Sequence, residues 1–115
     1  MKFKADELIE QFACKITPKM RFMVCDLECY TLRMYKKEIT VTDLMRPNDA
    51  GSVHAYGRGA DIRSWMFTDV EIAEMKFYIN TKYPYDGGKK PAFLYHTVAD
   101  GAFHIHLQCE DNLNV

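Results

Sequence analysis

Two short stretches of the chain carry residue types that commonly bind metal ions. Residues 52–61 include His54 and Asp61, and a second stretch contains His104 and His106, separated by one residue. Two imidazoles and a carboxylate form the ligand set of a catalytic zinc site, where three protein ligands leave a fourth position open. Zinc at such a site polarises carbonyl groups and lowers the pKa of its water toward neutrality. These residues therefore favour a metallohydrolase.

The residues around the second stretch alternate between two series. One series contains His104 and His106, and the other, which contains Ile105 and Leu107, is wholly apolar. Alternation with a period of two is typical of a strand with one buried face. The pattern predicts that the two histidines share the polar face of a sheet and that the apolar series points into the core.

A second β-prone run, residues 93–98, precedes this strand. The dipeptide Asp100-Gly101 between the two runs favours a tight two-residue turn, which predicts a β-hairpin. With that turn, Tyr95 would lie opposite His106, while His96 would point to the other face. His96 is therefore the weaker candidate for the site.

The first stretch is predicted to form a turn or loop that leads into a strand. Gly57 and Gly59 flank Arg58 and permit backbone angles that a side chain would resist. Such a bend can direct His54 and Asp61 toward one point.

These two motifs resemble those of the D-alanyl-D-alanine metallopeptidases, whose superfamily also contains lysostaphin-type peptidases and the hedgehog signalling domain. The family pattern S-x-H-x-x-G-x-A-x-D is met by Ser52, His54, Gly57 and Asp61, and its alanine falls on Gly59. Many members also carry an E-x-x-H segment, whereas the murein endopeptidase and lysostaphin branches use H-x-H. This chain has the H-x-H form.

The resemblance implies zinc as the cofactor, with His54, Asp61 and His106 as its ligands. It places His104 beside the metal-bound water as proton acceptor and donor, in place of the glutamate of other members. The upstream arginine of the family corresponds to Arg46, although the tyrosine and serine that usually accompany it are missing. A guanidinium there would help hold the substrate or the developing oxyanion.

The same resemblance, which spans residues 39–108, implies a peptidase that hydrolyses bonds of bacterial cell-wall peptidoglycan. Either a D-Ala-type carboxypeptidase or an endopeptidase fits, and the expected partner is a peptidoglycan peptide. A short chain of this kind is similar to phage or prophage lysis enzymes, the endolysins. The alternative is a non-catalytic zinc-binding interaction domain, or a phage structural domain, because the hedgehog branch uses this fold for binding.

Each candidate residue also has an ordinary structural explanation when it is taken alone. His54 could be a surface residue of a loop, Asp61 could cap a turn, and Arg46 could pair with Asp49. The motif spacing and the shared face of the two histidines together favour the metal site.

Length and composition set further bounds. A chain of 115 residues is expected to form one domain, residues 1–115, and to be a monomer. Fifteen basic and sixteen acidic residues give a formal net charge of −1, so no broad attraction to nucleic acid is expected. No apolar run approaches the roughly 20 residues of a membrane span, and no secretion signal is recognisable. We therefore expect a chain that is cytoplasmic as synthesised and is not inserted in a membrane, and the resemblance implies that it acts on the wall after release.

The four cysteines do not form a second metal motif. They lie at positions 14, 25, 29 and 109, and no two of them form a C-x-x-C pair. Cys25 and Cys29 fall one turn apart on a predicted helix, where they are expected to be buried free thiols that act as small apolar groups.

The expected fold is α+β. Thr17-Pro18 predicts the start of a helix whose apolar stripe runs from Met20 to Met34, and Thr68 with Glu71 predicts a capping box before a helix at Asp69–Lys82. A short leading helix is expected over residues 6–12. Strands near residues 39–45 and 60–65 would join the hairpin in a small antiparallel sheet, with the two main helices on one face and the zinc site on the other.

Overall fold

A five-stranded sheet organises the fold. The computed structural model describes residues 1–46, 51–97 and 103–110. Within these residues the strands are β1 (Lys2–Phe3), β2 (Thr40–Asp43), β3 (Gly59–Ile62), β4 (Phe93–Thr97) and β5 (Phe103–Gln108), in the spatial order β1-β2-β3-β5-β4. β1 runs parallel to β2, and the other neighbouring pairs are antiparallel.

Three α-helices accompany the sheet in the part of the chain that the structure describes. They are α1 (Asp6–Cys14), α2 (Pro18–Tyr35) and α3 (Asp69–Lys82), and the two longer ones pack on β3, β4 and β5. The α+β class with two main helices is therefore confirmed, and β1 makes the sheet mixed. Among the described residues, none of the helices combines the length and apolar character needed to cross a bilayer.

Both main helices begin where the sequence predicted. The Thr17 hydroxyl accepts a hydrogen bond from the backbone N–H of Met20 (3.2 Å), and Pro18 occupies the first helical position of α2. At the start of α3, the Thr68 hydroxyl accepts from the backbone N–H of Glu71 (3.1 Å), while the Glu71 carboxylate accepts from the Thr68 N–H (2.9 Å). This reciprocal pair satisfies two N–H groups that the helix itself leaves unpaired.

The core lies between one face of the sheet and the helices α2 and α3. Its side chains without exposed surface include Met20, Met23, Leu27, Val41, Ile62, Met75, Ile79, Ile105 and Leu107. Because side chains alternate along a strand, the residues between the apolar ones on β3 and β5 point away from this core. Asp61, His104 and His106 consequently share the opposite face.

Two expectations for α2 are wrong. Met34 is exposed and does not extend the core stripe, and both Cys25 and Cys29 are exposed. Successive helical residues are rotated by about 100°, so the buried positions Val24 and Leu27 turn their neighbours toward solvent. The two thiols therefore lie one turn apart on α2, as predicted, but on its exposed face.

Candidate metal centre

His54 lies on a short 3-10 helix, Val53–Tyr56, that leads into β3. The Ser52 hydroxyl accepts a hydrogen bond from the His54 backbone N–H (3.2 Å) and so begins this turn. Gly57 ends it with a φ of 70°, and a Cβ at Gly57 would lie 2.8 Å from the carbonyl oxygen of Lys15. The predicted bend is therefore present, and glycine is required at Gly57 for both conformation and space.

Gly59 lies against the ring of His54. A Cβ at this position would be 2.8 Å from the Cγ2 atom of Val53 and 3.3 Å from two carbon atoms of the His54 imidazole. The resembling family has alanine at this place in its motif. In this chain the departure from the pattern has a steric reason. The backbone of β3 at Gly59 lies so close to the His54 imidazole and to Val53 that a methyl group would crowd both side chains.

His54, Asp61 and His106 meet at one carboxylate oxygen. Asp61 and His106 lie opposite each other on β3 and β5, and His106 Nδ1 is 2.8 Å from Asp61 Oδ1. His54 Nε2 is 3.3 Å from the same oxygen. The exposed fractions are only 1%, 4% and 8% for His54, Asp61 and His106, and one ligand atom from each lies within 4.8 Å of the others. This buried group can hold a metal ion.

The hydrogen bonds of His54 fix which of its nitrogens faces the group. Its Nδ1 is 2.5 Å from the carbonyl oxygen of Leu44, and since a carbonyl only accepts, Nδ1 is the donor. Its Nε2 is buried and has no hydrogen-bond partner. A neutral imidazole with a protonated Nδ1 presents a lone pair at Nε2, which is the form that binds a metal ion. A cation beside Asp61 would therefore satisfy an otherwise unpartnered buried nitrogen.

The pKa values in the group favour an ionised carboxylate. Burial raises the pKa of Asp61, but the hydrogen bond from His106 and the close approach of the His54 imidazole outweigh burial and hold this pKa well below its usual range. Burial also lowers the pKa of His54, and the neighbouring Asp61 more than reverses this, so the pKa of His54 is raised. The Asp61 carboxylate thus remains negatively charged near neutral pH, the state in which it could bind a cation.

His104 lies beside the group, on the same face of β5 as His106. Its Nε2 is 3.6 Å from Asp61 Oδ1, and the ring is half-buried. Burial lowers the pKa of His104, and although Asp61 opposes this effect, the neighbouring His96 adds to the lowering. His104 is accordingly neutral near pH 7, the state in which it can accept a proton.

Both the backbone and the side chain of Arg46 form hydrogen bonds with residues of the centre. Its N–H donates to the carbonyl oxygen of His54 (3.2 Å), and its Nη2 donates to Asp61 Oδ2 (2.9 Å). Its Nε donates to Asp43 Oδ2 (2.5 Å). The guanidinium therefore holds one oxygen of Asp61 and leaves the other to the histidines. The alternative partner Asp49 lies outside the described residues.

The position predicted for His96 is wrong. β4 and β5 pair His96 with His104 and Leu94 with His106, one residue away from the predicted register. His96 therefore lies on the site face, with its ring centroid 4.6 Å from that of His104 in an edge-to-face contact. The predicted Asp100-Gly101 turn lies outside the described residues.

The sequence held a signal for the observed hairpin register. Phe93 is opposite Leu107, and Tyr95 is opposite Ile105, so the aromatic side chains of β4 share the core face with the apolar series of β5. Weighting this apolar match above the turn dipeptide would have placed His96 at the site. His96, His104 and His106 form a second group whose ligand atoms lie within 4.8 Å of one another.

Comparison of the chain with protein-family models, with curated proteins and with solved structures finds no match. The likeness to the D-alanyl-D-alanine metallopeptidases therefore rests on the two sequence motifs. What the geometry adds is that the residues of both motifs converge on Asp61 Oδ1, with His104 at the edge of the group.

Proposed function

We propose that this chain is a zinc-dependent peptidase that hydrolyses peptide bonds of bacterial cell-wall peptidoglycan, as a D-Ala-type carboxypeptidase or an endopeptidase. The observation that carries the proposal is the unpartnered, buried Nε2 of His54, which faces the same Asp61 oxygen that His106 reaches. Two imidazoles and one carboxylate suit zinc and leave a coordination position for water or substrate. The cell-wall substrate is proposed from the motif resemblance.

In this proposal His54, Asp61 and His106 bind zinc. When bound, zinc would polarise the scissile carbonyl and acidify water. His104 accepts the proton of the attacking water at Nε2 and returns it to the nitrogen of the leaving amine as the carbon–nitrogen bond breaks. Its lowered pKa supports the accepting step, since the neutral ring predominates near pH 7.

Arg46 has a positioning role in this arrangement. Its hydrogen bond to Asp61 Oδ2 fixes the rotation of the carboxylate, so that Oδ1 points to His54 and His106. The Arg46 side chain is also 41% exposed, and a guanidinium at this edge suits a terminal carboxylate or a developing oxyanion. We expect Arg46→Ala to slow hydrolysis without removing zinc, because arginine is not a zinc ligand.

The test is hydrolysis of muropeptides by the purified chain, with zinc and after chelation. His104→Ala should lower turnover by about 10²–10⁴-fold, the usual contribution of a general acid-base group, while zinc remains bound. Lys76→Ala, on the exposed surface of α3, is the control for the effects of mutation and purification, and it should match the parent chain in turnover and in bound zinc. Loss of zinc from His104→Ala, together with retention in His106→Ala, would reverse the roles assigned to these two histidines.

A non-catalytic interaction domain is the second candidate. Val70 and Phe77 are mostly exposed and line one open apolar groove together with Tyr30, and a contiguous apolar surface of this kind is common where a protein docks on a partner. A zinc-loaded chain that releases no new peptide ends from walls of several chemical types, yet binds them or another protein, would favour this candidate over the peptidase.

A further inference from the structure

We propose that His96, His104 and His106 form a second, outer site for a divalent transition-metal ion. We call it the outer site, and we call the group of His54, Asp61 and His106 the inner site. The two sites share His106. This proposal concerns metal binding alone and stands independently of the peptidase activity proposed above.

The outer site rests on the pairing of β4 with β5. His96 and His104 are direct cross-strand partners, and the ring centroid of His96 is 5.6 Å from that of His106. One ring nitrogen from each of the three lies within 4.8 Å of the others. For one zinc ion to bind all three, the imidazoles must rotate so that each nitrogen lies roughly 2.0–2.1 Å from the metal.

The donor atoms of the outer site select a class of ion. Imidazole nitrogen suits zinc, copper and nickel, whereas calcium and magnesium take oxygen ligands. The inner site adds a carboxylate to two imidazoles, so it carries a negative charge that the outer site lacks. We therefore expect the inner site to bind zinc more tightly and the outer site to accept the ion with lower affinity.

The side chains of the outer site are more exposed to solvent than those of the inner site. All three residues of the inner site are buried, whereas in the outer site His96 is exposed, His104 is half-buried and His106 is buried. An ion that arrives from solvent therefore meets His96 and His104 before it reaches Asp61. The exposed side of the outer site also allows the ion to keep part of its water shell.

The shared His106 makes the two sites compete. A neutral imidazole has one lone pair and binds one ion at a time. In this structure Nδ1 of His106 donates a hydrogen bond to Asp61 Oδ1 (2.8 Å), which holds the ring against the inner site. Removing the inner ligands should release His106 to the outer site. An ion held in the outer site would also occupy His104 and withdraw it from proton transfer.

The experiment measures zinc affinity in the double variant His54→Ala/Asp61→Asn, which lacks two inner ligands. Zinc alone is the probe, and its binding is followed by competition with a chromophoric chelator after folding has been checked by circular dichroism. The double variant should bind one zinc ion, more weakly than the parent chain. Adding His96→Ala should weaken this binding at least about tenfold, since even indirect disturbance of a ligand costs 10–100-fold.

Two controls make the result specific. Tyr95→Ala, next to His96 but on the other face of β4, should leave zinc affinity of the double variant within about twofold. His96→Ala in the parent chain should leave tight inner-site binding intact. If the double variant does not fold, the single variant His54→Ala takes its place, and His96→Ala must again weaken binding at least tenfold. A folded inner-site variant that binds no zinc, or binds it equally well without His96, overturns the outer site.

Discussion

Replacing Gly59 by alanine separates what the sequence resemblance implies from what the structure implies. Alanine is the residue of the resembling family at this position, so resemblance alone predicts a neutral or favourable change. In the structure, the new Cβ would lie 2.8 Å from Val53 Cγ2 and 3.3 Å from the His54 ring. Ordinary carbon–carbon contacts are about 3.5–4.0 Å, so Val53 must move by more than about half an ångström and the imidazole by a few tenths of an ångström.

The expected magnitude follows from two opposing effects. Overpacking at a tight site usually costs about 1–3 kcal/mol. Replacing glycine in an ordinary backbone conformation recovers about 0.4–1 kcal/mol through the unfolded chain. We therefore expect Gly59→Ala to lower the free energy of unfolding by about 1–2 kcal/mol, and to weaken zinc binding because the His54 ring is displaced.

Urea unfolding at pH 7 and zinc titration provide the measurements. Gly51→Ala is the matched control, because a Cβ at Gly51 meets nothing within 4 Å. The double variant Gly59→Ala/Val53→Ala removes the nearest contact and should recover at least half of the lost stability relative to Val53→Ala alone. A Gly59→Ala chain that is as stable as the parent and binds zinc as tightly would refute the close contact of the Gly59 backbone with Val53 and the His54 ring.

Two further predictions concern stability away from the metal centre. Asp26 accepts hydrogen bonds from the Tyr83 hydroxyl (2.6 Å) and pairs with the Lys82 ammonium (2.7 Å); although burial raises the pKa of Asp26, these partners lower it overall. A carboxyl with a lowered folded-state pKa stabilises the protein above its unfolded pKa of about 3.9 and loses this effect as the pH falls. Urea unfolding should therefore show Asp26→Asn less stable than the parent at pH 7, with a smaller difference at pH 3; an equal difference at both pH values would contradict this. Thr68→Ala removes the N-cap of α3 and should cost about 1 kcal/mol in the same assay, whereas a loss below 0.3 kcal/mol would mean that the cap is dispensable.

Local signals in the sequence were enough to place the main elements. The Thr17-Pro18 start of α2 and the capping box of Thr68 and Glu71 involve contacts within three residues, so they can be read without knowledge of the fold. The same holds for His104, which shares a strand face with His106 whatever the strand pairs with. β1 could not be predicted, because a strand of two residues is too short to show an alternation of polar and apolar side chains.

The features that were missed depend on pairing between distant segments. The side of the sheet on which His96 lies is set by the β4–β5 register, and a shift of one residue reverses it. The contact of Arg46 with Asp61 likewise arises only when β2 and β3 pair. Its contact with Asp43, three residues away, is local. No spacing in the sequence encodes the distance between Arg46 and Asp61.

The most direct test of the metal centre is the zinc affinity of the parent chain compared with that of His54→Ala, measured under reducing, chelator-free conditions at neutral pH. His54 belongs to the inner site alone, so its loss should weaken zinc binding at least about tenfold. Cys25→Ser/Cys29→Ser is the control, since these exposed thiols could otherwise bind zinc adventitiously, and it should match the parent chain. A parent chain that binds no zinc, or a His54→Ala chain that binds it equally tightly, would contradict the proposed metal centre.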